Sequence, residues 1–159
     1  MDLEKLSIRE LLALFADNLD ELNRRGILKS QNNPVADYAE WLVARALDLK
    51  LERNSRRGFD ASDSNSVRYQ IKGRRLHPSN PSRQLSVIRK LDSKEFEFLV
   101  GVLFNRDFSL HEAFKISREQ VERYAHFNRH QNGHILILEG DVLSSKGTES
   151  ILRVLSKIS

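Results

Sequence analysis

Cysteine is absent from the 159 residues, which excludes disulfides, thiolate zinc sites and a cysteine nucleophile and makes a reducing compartment the simpler home. No stretch approaches the roughly 20 apolar residues that cross a bilayer. The opening Met1-Asp2-Leu3-Glu4-Lys5 contains no uninterrupted apolar run, so neither export nor membrane insertion is expected. The phosphate-binding GxxxxGK[ST] loop and the GxSxG elbow are missing as well, which removes two common catalytic frames. No internal repeat or low-complexity tract is present. The expectation is a cytoplasmic chain folding as a single domain over 1–159, a length that can bury a core without staples.

Acidic residues are scarce where bases crowd together. The net charge is +4, yet from Arg45 to Lys90 twelve Lys and Arg stand against four Asp and Glu, leaving the rest of the chain net negative. Between Arg68 and Lys90 seven basic residues occur with no acid at all. Concentrated positive charge of this kind suits a surface that tracks phosphates, or simply a solvated basic face.

Ile8, Leu12, Phe15, Leu19 and Leu22 recur at alternating steps of four and three, which predicts an N-terminal amphipathic helix within 1–26, ending near Gly26. Two heptads are short for a free coiled coil, so this helix is expected to pack on its own domain. Asn33-Pro34 predicts the start of a second helix running to about Leu49, broken by Arg53-Asn54-Ser55. Short strands are expected at 49–51, 58–61 and 67–75, with a turn over 62–66 and a proline-bounded loop over 77–82. Phe98 to Phe104 is a continuous apolar run suited to a central strand, with Phe108, Leu110, Phe114 and Ile116 alternating on its hairpin partner. Ser117 with Gln120 reads as a capping box opening a helix to about Asn132. A buried strand at 135–138 and a C-terminal helix over 147–158 complete the pattern. His126, His130 and His134 recur every fourth residue, but Gly133 interrupts the helix and no carboxylate accompanies them, so a hydrated helix face is expected rather than zinc. Trp41 and Tyr69 are expected in the core.

A hairpin turning on Asn65 sets Asp60 opposite Gln70, Ala61 opposite Tyr69 and Phe59 opposite Ile71. In that register one face is apolar while the other carries Asp60, Arg68, Gln70, Lys72 and Arg74. A slip of one residue would oppose apolar and polar side chains. Glu40 sits at helical spacing with Ala36, Val43 and Leu47, at the margin of an apolar stripe, so a lysine, an arginine or a metal ion should lie beside it.

A helix with an inward Glu, a strand ending in Asp and a strand bearing Gln-x-Lys resembles the PD-(D/E)xK restriction-endonuclease superfamily. Gly58-Phe59-Asp60 with Tyr69-Gln70-Ile71-Lys72 is similar to its methylation-directed branch, where Gln replaces the second acid, and to an uncharacterised bacterial group sharing the Tyr-Gln-Ile-Lys strand. Phe59 stands where the family name places Pro. The resemblance spans about Asp37 to Leu138, within a nuclease-like core at 34–138. It implies an α/β fold, a restriction-endonuclease-like central mixed β-sheet flanked by α-helices, and a Mg²⁺-dependent DNA endonuclease, with Mn²⁺ as substitute, working in restriction or other defence. On this reading Asp60 is the principal metal ligand, joined by the Gln70 amide oxygen, the Ile71 carbonyl and, through water or by holding Lys72, Glu40. Lys72 orients the attacking water, and Arg74, Arg75 and Arg83 contact phosphates. Cutting both strands of DNA would call for two sites, hence a homodimer. The rivals are a non-catalytic nucleic-acid-binding or assembly subunit with a degenerate nuclease fold, and a plain protein-interaction domain.

Overall fold

The computed structural model describes residues 1–53 and 58–159; Asn54 and Ser55 of the expected helix break lie outside them. Helix α1 (Ile8–Arg24) opens with a capping box in which Ser7 Oγ accepts from Glu10 N and Glu10 accepts from Ser7 N. Gly26 follows with φ +73, the left-handed conformation that ends a helix at little cost to glycine. Helix α2 (Val35–Ala46) is tied at its start by Asn33 Oδ1, which accepts from Val35 N at 3.1 Å. It ends three residues short of Leu49 because Asp48 turns into positive φ.

Among the described residues six strands form one mixed sheet in the order β1 (Lys50–Leu51), β2 (Ala61–Ser62), β3 (Arg68–Arg75), β4 (Phe98–Phe104), β5 (Leu110–Ser117) and β8 (Thr148–Ser150). Only β3 and β4 are parallel. The hairpin register is the expected one, Ala61 facing Tyr69 and Ser62 facing Arg68, with Ser66 at positive φ in the turn. The first strand is shorter than expected: Gly58 has φ +75 and the ladder begins only where Asp60 N donates to the Tyr69 carbonyl at 2.8 Å. Strand β4 reads as a central strand should, buried at every position after Phe98.

The pleat divides the core in two. Tyr69, Ile71, Val100, Val102 and Phe104 face α2 and α5 (Leu152–Leu155), while Leu99, Leu103, Phe114 and Ile116 face the opposite layer. Phe59 corrects the expected partition: it packs in the second layer, under the Arg68 guanidinium at 5.9 Å, and not with Ala61 and Ile71. Its strand has not begun there, so the alternation does not extend to it. The second layer contains little helix. It is a strap from Gln84 to Lys90, bridged to a later segment through Gln84 and Ile137 and through Ile88 and His134, which buries Leu85 and Ile88 against Leu136 and Leu138.

Three expectations fail in the C-terminal third. Helix α3 (Arg118–Tyr124) stops eight residues before Asn132, and the Ser117 side chain makes no capping bond. The chain becomes extended at Ala125 and forms a separate hairpin of β6 (His126–Asn128) and β7 (Gly133–Ile135). The three histidines therefore do not share a helix face. The C-terminal segment, expected as one helix, is β8 followed by the single turn α5, because Thr148–Ser150 complete the sheet against β5; α4 (Asp141–Ser144) precedes it.

Helix α1 also departs from expectation. Leu19 is buried, but Ile8 is 80%, Leu12 63% and Phe15 57% exposed, so only the C-terminal half docks on the body. Leu22 joins Leu28, Tyr38, Trp41 and Phe108 around an apolar groove of about 550 Å³. Among the described residues no helix is long and apolar enough to cross a membrane.

Candidate functional site

The polar side chains singled out on α2 and the hairpin meet in a cleft of about 410 Å³ at the β2 edge of β3. Strand β2 covers β3 only as far as Tyr69, which leaves the next residues of β3 open on that side. Asp60 fills the gap: its carboxylate accepts from Ile71 N at 2.7 Å, replacing the missing ladder bond. In a strand the N–H and C=O of one residue share an edge, so the Ile71 carbonyl is directed to the same open edge. Gln70 and Lys72, flanking Ile71, project from the opposite face to Tyr69 and Ile71. Glu40 reaches in from α2, which lies so close to β3 that a Cβ at Gly73 would sit 2.8 Å from Ala39 Cβ and 2.9 Å from the Val35 carbonyl oxygen.

The groups are held in unequal ways. The Lys72 ammonium donates to Ser86 Oγ at 3.1 Å and to the Val87 carbonyl at 3.0 Å, so the strap fixes its position. Burial pulls its pKa below the usual lysine range, partly offset by Asp60. Burial likewise raises Asp60, against the Ile71 N–H bond and the charges of Lys72 and Lys29. Glu40 is raised by burial, with Lys29 opposing and Asp60 adding to the shift. Gln70 Oε1 is buried and has no hydrogen-bond partner among the described residues. An orphaned carbonyl oxygen of this kind costs about 1–3 kcal/mol, and it lines the same cleft as two carboxylates.

Lys29 is the cation that a carboxylate at the position of Glu40 requires; its Nζ lies 2.5 Å from Glu40 Oε2. The segment carrying it is pinned by Asp37, whose carboxylate accepts from Lys29 N at 2.8 Å and Ser30 N at 3.1 Å. Nothing in the sequence marked Lys29, which sits in a polar link. Arg89 and Lys90 also line the cleft, and their signal was the acid-free basic run.

The three arginines expected at phosphates separate. Arg74 shares the Lys72 side of β3 and bonds the Ser82 carbonyl and Asn80 Oδ1, both at 3.0 Å. Arg75 points to the other face and stacks over Phe108 at 4.9 Å. Arg83 is engaged with the Leu138 carbonyl and in an ion pair with Glu112; these partners take up the guanidinium that was expected to meet phosphate.

The ligand atoms that Glu40, Asp60, Gln70 and Ile71 offer are all oxygens, which suits a hard cation such as Mg²⁺. The set is two carboxylates, one amide and one backbone carbonyl. Among the described residues there is no group of three or more His, Cys, Asp or Glu side chains placed to hold a metal. No protein-family model matches the chain, and no curated protein matches it.

Proposed function

We propose that this chain is a Mg²⁺-dependent endonuclease acting on DNA, with Asp60, Gln70 and Lys72 as the reacting set in a PD-(D/E)xK-like arrangement. The observation that carries the reading is a buried, unpartnered Gln70 oxygen in a side chain that lines one cleft with Asp60 and with an ammonium held by two bonds. A buried oxygen without a partner and a carboxylate raised by burial are energetically unfavourable, and a bound cation would relieve both.

Asp60, Gln70 Oε1 and the Ile71 carbonyl would hold the ion, with Glu40 at its outer side. When bound, Mg²⁺ polarises the phosphate and lowers the pKa of a water. Lys72 has a third donor direction beyond Ser86 and Val87, free for a phosphate oxygen or the attacking water. As the water oxygen bonds to phosphorus, the bond to the leaving alcohol oxygen breaks, and the ammonium offsets the charge that gathers on the phosphate. Lys29 neutralises Glu40 and steadies the negative end of the cleft. Arg74, Arg89 and Lys90 extend positive charge along it.

Plasmid nicking in Mg²⁺, compared for wild type, Asp60→Ala and Lys72→Ala, tests the assignment. Cleavage should vanish in Asp60→Ala and fall by roughly 10²- to 10³-fold in Lys72→Ala, with DNA binding retained in both. Equal nicking by all three proteins would remove the catalytic assignment. Salt-dependent binding with no cleavage in any of them would leave a non-catalytic nucleic-acid-binding subunit.

A further inference from the structure

The strap that holds Lys72 supports a second cleft. Ser86 and Val87 bond the ammonium, and the next residue, Ile88, exchanges two backbone bonds of 2.8 Å with His134. The β6–β7 hairpin is thereby fixed beside the Asp60 cleft. Glycine is needed at the contact: a Cβ on Gly133 would lie 2.5 Å from Val87 Cγ2 and 2.8 Å from the Ile88 carbonyl oxygen. Arg89 reinforces the joint by donating to the Gln131 carbonyl at 3.1 Å. Arg89 and Lys90 line both the Asp60 cleft and a neighbouring one of about 420 Å³, which Phe127, Asn132, His134 and the carboxylate-bearing Asp92 also line.

Phe127 is the unusual member of that lining. It is 55% exposed in a hairpin whose Gly133 and Ile135 are buried. Its ring meets His134 edge-on, centroids 5.4 Å apart and planes at 68°, so the imidazole does not stack on it. From Arg123 to Leu138 the chain has no acid, while Arg129, His126, His130 and His134 lie on or beside the hairpin. A supported phenyl that shares its cleft with Arg89 and Lys90 offers a face to a flat ring with anionic flanks, which is the chemistry of a nucleobase between two phosphates.

We infer that Phe127, braced by His134, is a stacking platform for an unpaired nucleotide, with Arg89 and Lys90 holding the phosphates that join it to the Asp60 cleft. Within a duplex both faces of each base are already covered by neighbours, so the platform selects DNA with an overhang, gap or extruded base. That this cleft adjoins a site of cleavage rests on the nuclease reading; the stacking itself does not.

The test is anisotropy of a short fluorescein-labelled single strand and of the same strand annealed to its complement as a closed, fully paired duplex, in buffer without divalent metal. Phe127→Ala should weaken single-strand binding about tenfold, one stacked base being worth about 1–3 kcal/mol, and leave the closed duplex unchanged. Phe127→Trp should restore it. A 2-aminopurine in the strand should be quenched by wild type and Phe127→Trp but not by Phe127→Ala. Single-strand affinity and quenching unchanged in Phe127→Ala would overturn the platform. The two readings fail separately. Stacking without any Mg²⁺-dependent cleavage keeps the platform and removes the nuclease; cleavage that needs Asp60 and Lys72 in a protein whose Phe127→Ala variant binds normally does the reverse.

Discussion

Gln70 concentrates the conflict between stability and binding into one atom. Its Oε1 is buried with no donor among the described residues, in a side chain that lines one cleft with Asp60. Gln70→Met keeps the length of the side chain and deletes the amide. We expect it to raise the thermal midpoint of the metal-free protein, by relief of an unsatisfied group worth about 1–3 kcal/mol, and to shrink the further rise produced by Mn²⁺. Gln70→Glu should move both quantities in the opposite sense. Thermal unfolding of the three proteins with and without Mn²⁺ measures this, and a Mn²⁺ response indifferent to residue 70 would take Gln70 out of the ligand set. Much of this residue's setting was legible beforehand: Ala61 opposite Tyr69 follows from alternation alone, and it puts Asp60 and Gln70 side by side. The open edge that makes their oxygens available was not legible, because it depends on where β2 stops.

At the level of elements, the cleft exists because α2 lies almost on the backbone of β3. Gly73 permits that approach, and Ala39 supplies the small surface opposite. Gly73→Ala places a methyl group 2.8 Å from Ala39 Cβ and 2.9 Å from the Val35 carbonyl. Two backbones would have to separate, and overpacking of this kind costs about 1–3 kcal/mol. We expect urea unfolding to register that loss and cleavage to fall with it, since Glu40 and the Lys29 pair move with α2. A variant as stable as wild type would mean that α2 shifts freely and does not set the cleft. At the same scale the C-terminal third departs from its local pattern. Ser117 and Gln120 satisfy the spacing of a capping box, yet Ser117 N bonds the Gly147 carbonyl at 2.8 Å and Gln120 is buried. The fold tied Ser117 to Gly147 and buried Gln120, whose Oε1 has no partner among the described residues, and the helix ended where Ile135 could pair in the hairpin rather than lie on a helix face.

For the whole molecule, the unresolved economy of α1 points outward. An antiparallel copy centred on Phe15 matches Ile8 with Leu22, leaves Leu12 and Leu19 offset by one residue, and sets the exposed end of one helix over the apolar groove at the base of the other. We expect a second copy to cover it, giving concentration-dependent dimers in sedimentation velocity that Phe15→Asp abolishes without unfolding a side chain already 57% exposed. A wild type that stays monomeric at every concentration would refute this pairing. The sequence by itself determined the mixed α/β elements, the hairpin register and the need of Glu40 for a cation, because each rests on local periodicity, on a two-residue alternation or on the cost of burying a charge. Only the tertiary structure decided which cation met Glu40, that Arg83 met Glu112 while Arg75 turned to the other face, and that His126 to His134 formed a hairpin beside Lys72. Those outcomes depend on which distant segments share space, and local pattern is blind to contacts made across the fold.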